Sequence, residues 1–390
     1  MKVLVVAEYY PRADDPALGV WAHRQAMATA AAGIELRVLV LHRPIPPIAA
    51  LRAHDLRRAR AVVTQPAHTV LDGLPVDYVR YVSPPRSLGY QSWGAWAAPV
   101  LRRALRRIHA AFPFELVHAH YAVPTADAVG RADGALPLVI SVHGHDVQGA
   151  GAGGPAVRTA LEGARLVIAN SAGTEQRCLA IGARTTRVIH LGADIPARLP
   201  RRPASEGPTL VTVAHLAARK RHADVIAAVA RLRARHPGLR YVVVGDGPER
   251  ERLTELARSL GVEDAVQWRG ALAPDLAVEA AARASLFVLP SVDEAFGVAY
   301  IEAMAAGVPA IGCEGEDGPE EIASAGGGIV LVPPRDPAAL ADRIDELLSD
   351  RMALAALGAE ARSTVQRGFS WERCGRETAA AYHAAAEARA

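Results

Sequence analysis

Glu294 and Glu302 stand eight positions apart in PSVDEAFGVAYIEAMAAGVPAIG, residues 290–312, and that spacing limits their chemistry. Along a continuous helix they would lie about 12 Å apart. The paired carboxylates of a glycoside hydrolase sit about 5 to 9.5 Å apart, so an acid and base pair of that kind is excluded. The spacing suits two carboxylates that hold opposite ends of a long ligand. Between them, the backbone N–H groups near Phe296 and Gly297, at an expected helix start, would favour an anion such as a pyrophosphate. A sugar at one end, a nucleoside at the other and phosphates in the middle would fit. A capped helix carrying two solvated glutamates satisfies the same spacing.

Other polar groups fall at the ends of apolar runs. In VAHLAARKRH, Arg219, Lys220 and Arg221 follow a strand-like segment, where a cation could neutralise a diphosphate and stabilise a leaving nucleotide; a charge run is also what a solvated face looks like. VVVGDGPER places Gly245 and Gly247 after another run, but Arg250 stands where a third glycine would complete a dinucleotide fingerprint. The first loop, Glu8 to Gly19, ends in a glycine that could let backbone approach a phosphate or could serve a plain turn. SVHGHDV carries His143, Gly144, His145 and Asp146 at a strand end, where a histidine can donate or accept a hydrogen bond, or where the residues form a solvated turn. His118 and His120, at i and i+2, share one strand face as a metal pair would, but no third ligand follows at matching spacing, so packing is the expected role and no metal site is expected.

These residues need elements to hold them. Lys2–Ala7, Leu36–Leu41, Leu116–Ala119, Leu138–Val142, Leu166–Ala169 and Arg187–His190 read as strands between alanine-rich helical stretches, the first helix running from about Val20 to Ala32. After Asp194, IPARLPRRPASEGP has no periodicity and reads as a linker. The alternation restarts with Thr209–Ala214, Arg240–Val244, Val266–Gly270, Ser285–Leu289, Ala310–Gly312 and Ile329–Leu331. The expectation is α/β, with two Rossmann-like domains facing across a cleft: 1–195, a linker 196–208, 209–370, and a last helix 371–390 able to pack on either domain. Ligands in such sheets bind outside the carboxyl ends of the strands.

Composition narrows the class further. Apolar residues make up 51% and charged residues 22% of 390, which is ordinary for a globular protein. Three dispersed cysteines exclude a disulfide framework and a CxxC zinc site. Glu8 and Pro11 interrupt the first apolar run before a signal or membrane segment is complete, so the reading is a cytoplasmic protein. Through Asp194 there are 21 Lys and Arg against 14 Asp and Glu, and 23 against 27 thereafter. The basic first half could face anionic lipid, nucleic acid or an anionic substrate, or could reflect genome composition. Within 99–112, Leu101, Ala104, Leu105 and Ile108 repeat at helical spacing beside Arg102, Arg103, Arg106 and Arg107. Such a helix can lie on an anionic membrane surface or be an ordinary surface helix.

Taken in order, these segments resemble the family 4 glycosyltransferases of the GT-B fold, especially exopolysaccharide and teichuronic-acid-type members. The resemblance rests on Glu294 and Glu302 as the E-x7-E pattern, the GDGP segment from Gly245, the NS segment at Asn170 and HLGAD from His190. It implies retaining transfer of a sugar from a UDP- or GDP-sugar to a glycan, lipid-linked or small-molecule acceptor, in cell-surface polysaccharide or glycoconjugate synthesis. No cofactor, metal or nucleic-acid partner is implied. By the same resemblance Glu302 would hold the donor ribose, Glu294 the donor sugar, the Phe296-Gly297 backbone and Lys220 the diphosphate, and His143 would lie beside the transferred sugar. Gly19 and Gly245 would line the donor site. Two positions depart from the pattern: His215 stands where the family often has arginine, and Arg221 where glycine usually follows the lysine, so the diphosphate clamp could be completed by His215 itself or by Arg219 or Arg221 in its stead. A sugar-nucleotide epimerase of the same fold and a non-catalytic nucleotide-sugar-binding subunit are the alternatives.

Overall fold

In the computed structural model of the protein, the described residues are 1–45, 56–144, 146–148, 153–199 and 207–387. They divide into two units. Met1–Leu191 together with the C-terminal helix Trp371–Glu387 form the first, and Gly192–Ser370 the second. Most of the expected linker, residues 200–206, lies outside the described residues, and residues 192–199 group with the second unit.

The first unit is built on eight strands: β1 Lys2–Ala7, β2 Glu35–His42, β3 His68–Leu71, β4 Leu74–Arg80, β5 Leu116–His120, β6 Leu138–Val142, β7 Leu166–Ala169 and β8 Thr186–Val188. Their order across the sheet is β3-β4-β2-β1-β5-β6-β7-β8. All neighbours are parallel except β3 and β4. The β3–β4 pair is a hairpin that the sequence reading did not include. Asp72 and Gly73 both take positive φ, 47° and 84°, as a two-residue hairpin turn requires.

The central strands are buried on both faces, and the period of two divides their side chains between two cores. Leu4 and Val6 of β1 join Leu39, Val117 and the helix Trp93–Ala111 on one face. Val3, Val5 and Ala7 join Val38, Val40 and residues of Trp371–Glu387 on the other. Each such Val or Leu contributes about 1.5–3 kcal/mol on leaving water. The C-terminal helix lies close to the helix Val20–Ala31: a Cβ on Gly375 would stand 2.2 Å from the Ala28 carbonyl oxygen, and Gln25 donates to Thr378 Oγ1 at 3.1 Å.

The basic helix is an element of this core. Leu101, Ala104, Leu105 and Ile108 are 0–4% exposed, so the apolar stripe faces the protein interior and is not available for insertion into a membrane. Its arginines face outward, with Arg102 donating to the Ala132 and Arg131 carbonyls. Among the described residues no helix is long and apolar enough to cross a membrane.

The second unit has six parallel strands: β9 Thr209–Val213, β10 Arg240–Val244, β11 Val266–Gly270, β12 Leu286–Val288, β13 Ala310–Cys313 and β14 Ile329–Val332, in the order β11-β10-β9-β12-β13-β14. Strand order reverses beside β1 in the first sheet and beside β9 in the second. Ligands of open α/β sheets bind at such reversals, outside the carboxyl ends of the strands. The Glu8–Gly19 loop and His120 sit at the β1/β5 reversal, and Lys220 and Glu294 follow the strands of the β9/β12 reversal.

Candidate functional site

Lys220 and Glu294, 74 residues apart, meet at the carboxyl ends of β9 and β12. After β9 the chain is pressed against the loop after β10: Ala214 N–H donates to the Val244 carbonyl at 3.0 Å and Leu216 N–H to that of Asp246 at 3.0 Å. Gly245, at φ 136°, makes this possible, because a Cβ there would stand 1.9 Å from the Ala214 carbonyl oxygen. The β9 loop is also tied to the β12 loop. Val292 N–H donates to the Arg219 carbonyl at 2.8 Å, and Arg219 Nη1 to that of Asp293 at 3.3 Å.

Held this way, Lys220 Nζ donates to Glu294 Oε2, which also accepts from Ser291 Oγ at 2.8 Å. Glu294 is 7% exposed. Burial pushes its pKa up, but the Lys220 charge and hydrogen bond, with Arg219 and Ser291, outweigh it and hold the group below its ordinary value. The Glu294 N–H donates to Glu316 Oε2 at 2.7 Å. Burial raises the pKa of Glu316 despite that bond.

The next turn presents backbone. Phe296 is buried and its ring packs 5.8 Å from that of Phe369, so what it offers a ligand is its main chain. Gly297, at φ 84°, starts the helix Val298–Ala305, and a Cβ there would stand 2.5 Å from the Tyr300 ring. Glu302 lies on the second turn of that helix, half-buried. An ion pair, a glycine turn and a helix N-terminus at one strand end make a site for an anion with polar groups on either side.

The first unit gathers the sequence-predicted histidines differently. His143 Nε2 is 2.9 Å from His120 Nδ1, with the rings stacked at 5.2 Å, and burial lowers the pKa of His143 to about 4. It is therefore neutral near pH 7. His118 uses both ring nitrogens, 2.7 Å from Tyr382 Oη and 2.8 Å from Ser141 Oγ. Gly19, at φ 63°, starts the helix Val20–Ala31, and its missing Cβ makes room for the Tyr9 main chain, 2.2 Å away. Among the described residues no group of three or more His, Cys, Asp or Glu is placed to hold a metal ion. His145 lies outside the described residues.

Residues 18–197 match the family model described as Glycosyltransferase Family 4, and residues 198–364 that described as Glycosyl transferases group 1. A GDP-mannose-dependent alpha-(1-6)-phosphatidylinositol monomannoside mannosyltransferase of Mycobacterium tuberculosis is 31% identical over 299 residues, which cover 70% of this chain and 77% of that protein. The chain belongs to the family 4 glycosyltransferases. An exopolysaccharide phosphotransferase of Streptomyces coelicolor is 37% identical over 182 residues, 46% of this chain, which spans 19% of that protein. A sucrose-phosphate synthase from Thermosynechococcus elongatus has the same GT-B fold, with TM-score 0.78 at 21% identity over 98% of this chain and 99% of that one.

In this family 4 glycosyltransferase the two departures from the family pattern have a structural outcome. Arg221 is held by Asp224 through two bonds of 2.8 Å, so it does not turn toward the Lys220–Glu294 pair. Of the two neighbouring arginines, Arg219 is the one whose charge, after that of Lys220, reaches Glu294. His215 is exposed, its ring beside Gly247. The sequence reading missed Ser291, which stands three positions before Glu294, and Glu316, which carries no local signal. It also missed His222, which is 2% exposed with no partner for either ring nitrogen among the described residues. Burial, then Lys220 and His215, lower its pKa to about 4.

Proposed function

We propose that the protein is a retaining glycosyltransferase that moves a sugar from a UDP- or GDP-sugar to a glycan, lipid-linked or small-molecule acceptor in cell-surface polysaccharide or glycoconjugate synthesis. The observation that carries the reading is the ion pair of Lys220 with the buried Glu294 beside the Gly297 helix start, at the reversal between β9 and β12. The GDP-mannose dependence in the name of the mycobacterial relative supports a nucleotide-sugar donor.

In this reading the donor diphosphate lies on the Gly297 helix N-terminus. Lys220 turns from Glu294 to the diphosphate as the bond to the sugar breaks, and Arg219 adds charge. Stabilising the departing diphosphate lowers the barrier because that charge grows in the transition state. Glu294, its lysine engaged, accepts from the donor sugar hydroxyls, while Glu302 holds the ribose. His143, neutral, sits on the acceptor-side unit as a hydrogen-bond partner for the transferred sugar. Gly19, His215 and Gly245 shape the loops around the substrates. Lys220 and Arg219 with the helix amides meet the diphosphate charge, so the mechanism invokes no metal. Retention is carried over from the family resemblance. A peripheral position on the inner face of a membrane would rest on the outward arginines of 99–112.

Lys220→Ala should lower nucleotide release in the presence of acceptor by about 10²–10³-fold. The variant also leaves Glu294 buried without its cation, so it should melt earlier than the wild type. Adding Glu294→Gln removes that charge and should restore melting without restoring transfer. Near-normal turnover in folded Lys220→Ala would remove the lysine from the mechanism. An isomerised sugar formed from donor alone would replace transfer by epimerisation.

A further inference from the structure

The carboxyl edge of the first sheet holds a second collection of charged groups, drawn from four segments of chain. Glu8 follows β1, Arg43 follows β2, Arg86 lies beyond β4, and Asp146 lies beyond β6; Tyr90 and Trp93 begin the helical segment after Arg86. The two arginines are mounted alike. The Arg43 guanidinium lies 4.2 Å over the Trp93 ring and donates to the Ser83 carbonyl at 3.4 Å. The Arg86 guanidinium lies 4.1 Å over the Tyr90 ring and donates to Tyr9 Oη at 2.9 Å. Their aromatic platforms are fixed in turn, Trp93 Nε1 donating to the Pro84 carbonyl at 2.9 Å and Tyr90 Oη to that of Val123 at 2.7 Å. A guanidinium stacked on a ring keeps its in-plane N–H edge for a planar or tetrahedral anion, and Arg43 Nε is buried with no partner among the described residues.

The carboxyls beside them are also incomplete. Glu8 Oε2 is buried with no partner, and Glu8 makes no ion pair among the described residues. Asp146 is 5% exposed; one oxygen accepts from the Ala122 N–H at 3.2 Å and the other has no hydrogen-bond partner among the described residues. Burial raises both carboxyls to about 7, although Arg86, Arg43 and Arg12 pull Glu8 down, and the backbone N–H groups of His143, Ala122 and Val123, then Arg86, pull Asp146 down. Arg12 is engaged by Asp14 at 3.4 Å and His42 at 3.3 Å. Buried polar atoms in native proteins are almost always satisfied, and here orphaned donors and acceptors of both signs face one sheet edge. Cations and carboxyls that do not pair with each other are spaced for a third body, one bringing an anion to the arginines and hydroxyls to the acids.

We propose that this edge is the acceptor subsite, and that the acceptor is a polyhydroxylated molecule bearing a phosphate or carboxylate, with Arg43 and Arg86 gripping the anion and Glu8 and Asp146 accepting from hydroxyls. The proposal rests on the transferase reading and gives its acceptor a chemical class.

The test uses the full chain with the donor site filled by whichever nucleoside diphosphate binds best. Glucose 6-phosphate, glucuronate and glucose are titrated by calorimetry, and vesicles of phosphatidylglycerol are compared with phosphatidylcholine by co-sedimentation. At least one anionic carrier should bind about tenfold or more tighter than its neutral counterpart. The Arg43→Gln/Arg86→Gln double variant should lose that preference, Arg43→Lys should keep part of it, and all should retain wild-type nucleoside diphosphate affinity, which reports an intact fold. The soluble and vesicle arms tell a free anion from a lipid headgroup. Equal binding of neutral and anionic carriers, or a preference that survives the double variant, overturns the proposal. Failure of every nucleoside diphosphate to bind overturns the donor reading instead, and the anion titrations are then read without it.

Discussion

At the scale of the residue, opposite outcomes of burial separate two carboxylates. Glu294 is held ionised because Lys220 donates to it, while Asp146, with an orphaned oxygen and no cation in contact, is driven to a pKa of about 7. The raised value gives a signed prediction. Between about pH 4 and pH 7 the unfolded chain releases the Asp146 proton and the folded chain keeps it, so the aspartate costs stability increasingly as pH rises through that window, and the cost levels off above it. Asp146→Asn should therefore gain little over the wild type at pH 4.5 and most at pH 7.5, read as the difference in melting temperature at each pH. A second prediction concerns backbone. Gly297→Ala must hold φ 84° and place a methyl 2.5 Å from the Tyr300 ring. The left-handed conformation alone costs about 1–2 kcal/mol, and the helix start would shift. Chemical denaturation should show that loss, together with weakened nucleotide binding.

At the scale of the element, the helix Trp93–Ala111 shows what a sequence pattern can and cannot say. Its periodicity announces an amphipathic helix, but not what covers the apolar side, which is settled by β-strand residues such as Leu4 and Leu39 far along the chain. Leu105→Ala should accordingly cost about 2–5 kcal/mol in denaturant unfolding. Arg103 and Arg106 replaced by glutamine should change stability by only about 0.5 kcal/mol, as surface changes do, whereas Arg107 lies 3.9 Å from the buried Asp77 and is left in place. If the outward arginines do meet anionic liposomes, the same double variant should weaken sedimentation at low salt. Strands buried on both faces were legible because runs such as KVLVVA and LVISV are uninterrupted. The β3–β4 hairpin was passed over although Asp72-Gly73 carried its turn signal. In the site, Lys220, Gly245, Glu294 and Gly297 were legible because each follows an apolar run. The Lys220–Glu294 contact, the capture of Arg221 by Asp224 and the burial of His222 depend on folded neighbours. The Glu8, Arg43, Arg86 and Asp146 grouping is a product of strand order, which no local pattern encodes.

At the scale of the whole molecule, the chain leaves the first unit at Leu191 and returns to it at Trp371. Where it enters and leaves the second unit, Ala193 N–H donates to the Phe369 carbonyl at 2.9 Å. Ending the chain at Ser370 would strip one face of the first sheet of Cys374, Ala379, Ala381 and Tyr382 and would remove one of the two partners of His118, leaving Ser141. Calorimetry of that truncation should show a first unit melting well below its wild-type temperature, while nucleotide binding, which the proposed function puts on the second unit, should persist. Tyr382→Phe keeps the ring and loses the hydroxyl, for a milder cost of about 1 kcal/mol. The same crossing sets an order of events during synthesis on the ribosome. The second unit is translated later but is contiguous, so it can complete its fold as soon as Ser370 has emerged. The first unit must wait with one sheet face covered only in part, by the helix Val20–Ala31, until 371–387 arrive, and until then the rest of that face is open to other chains.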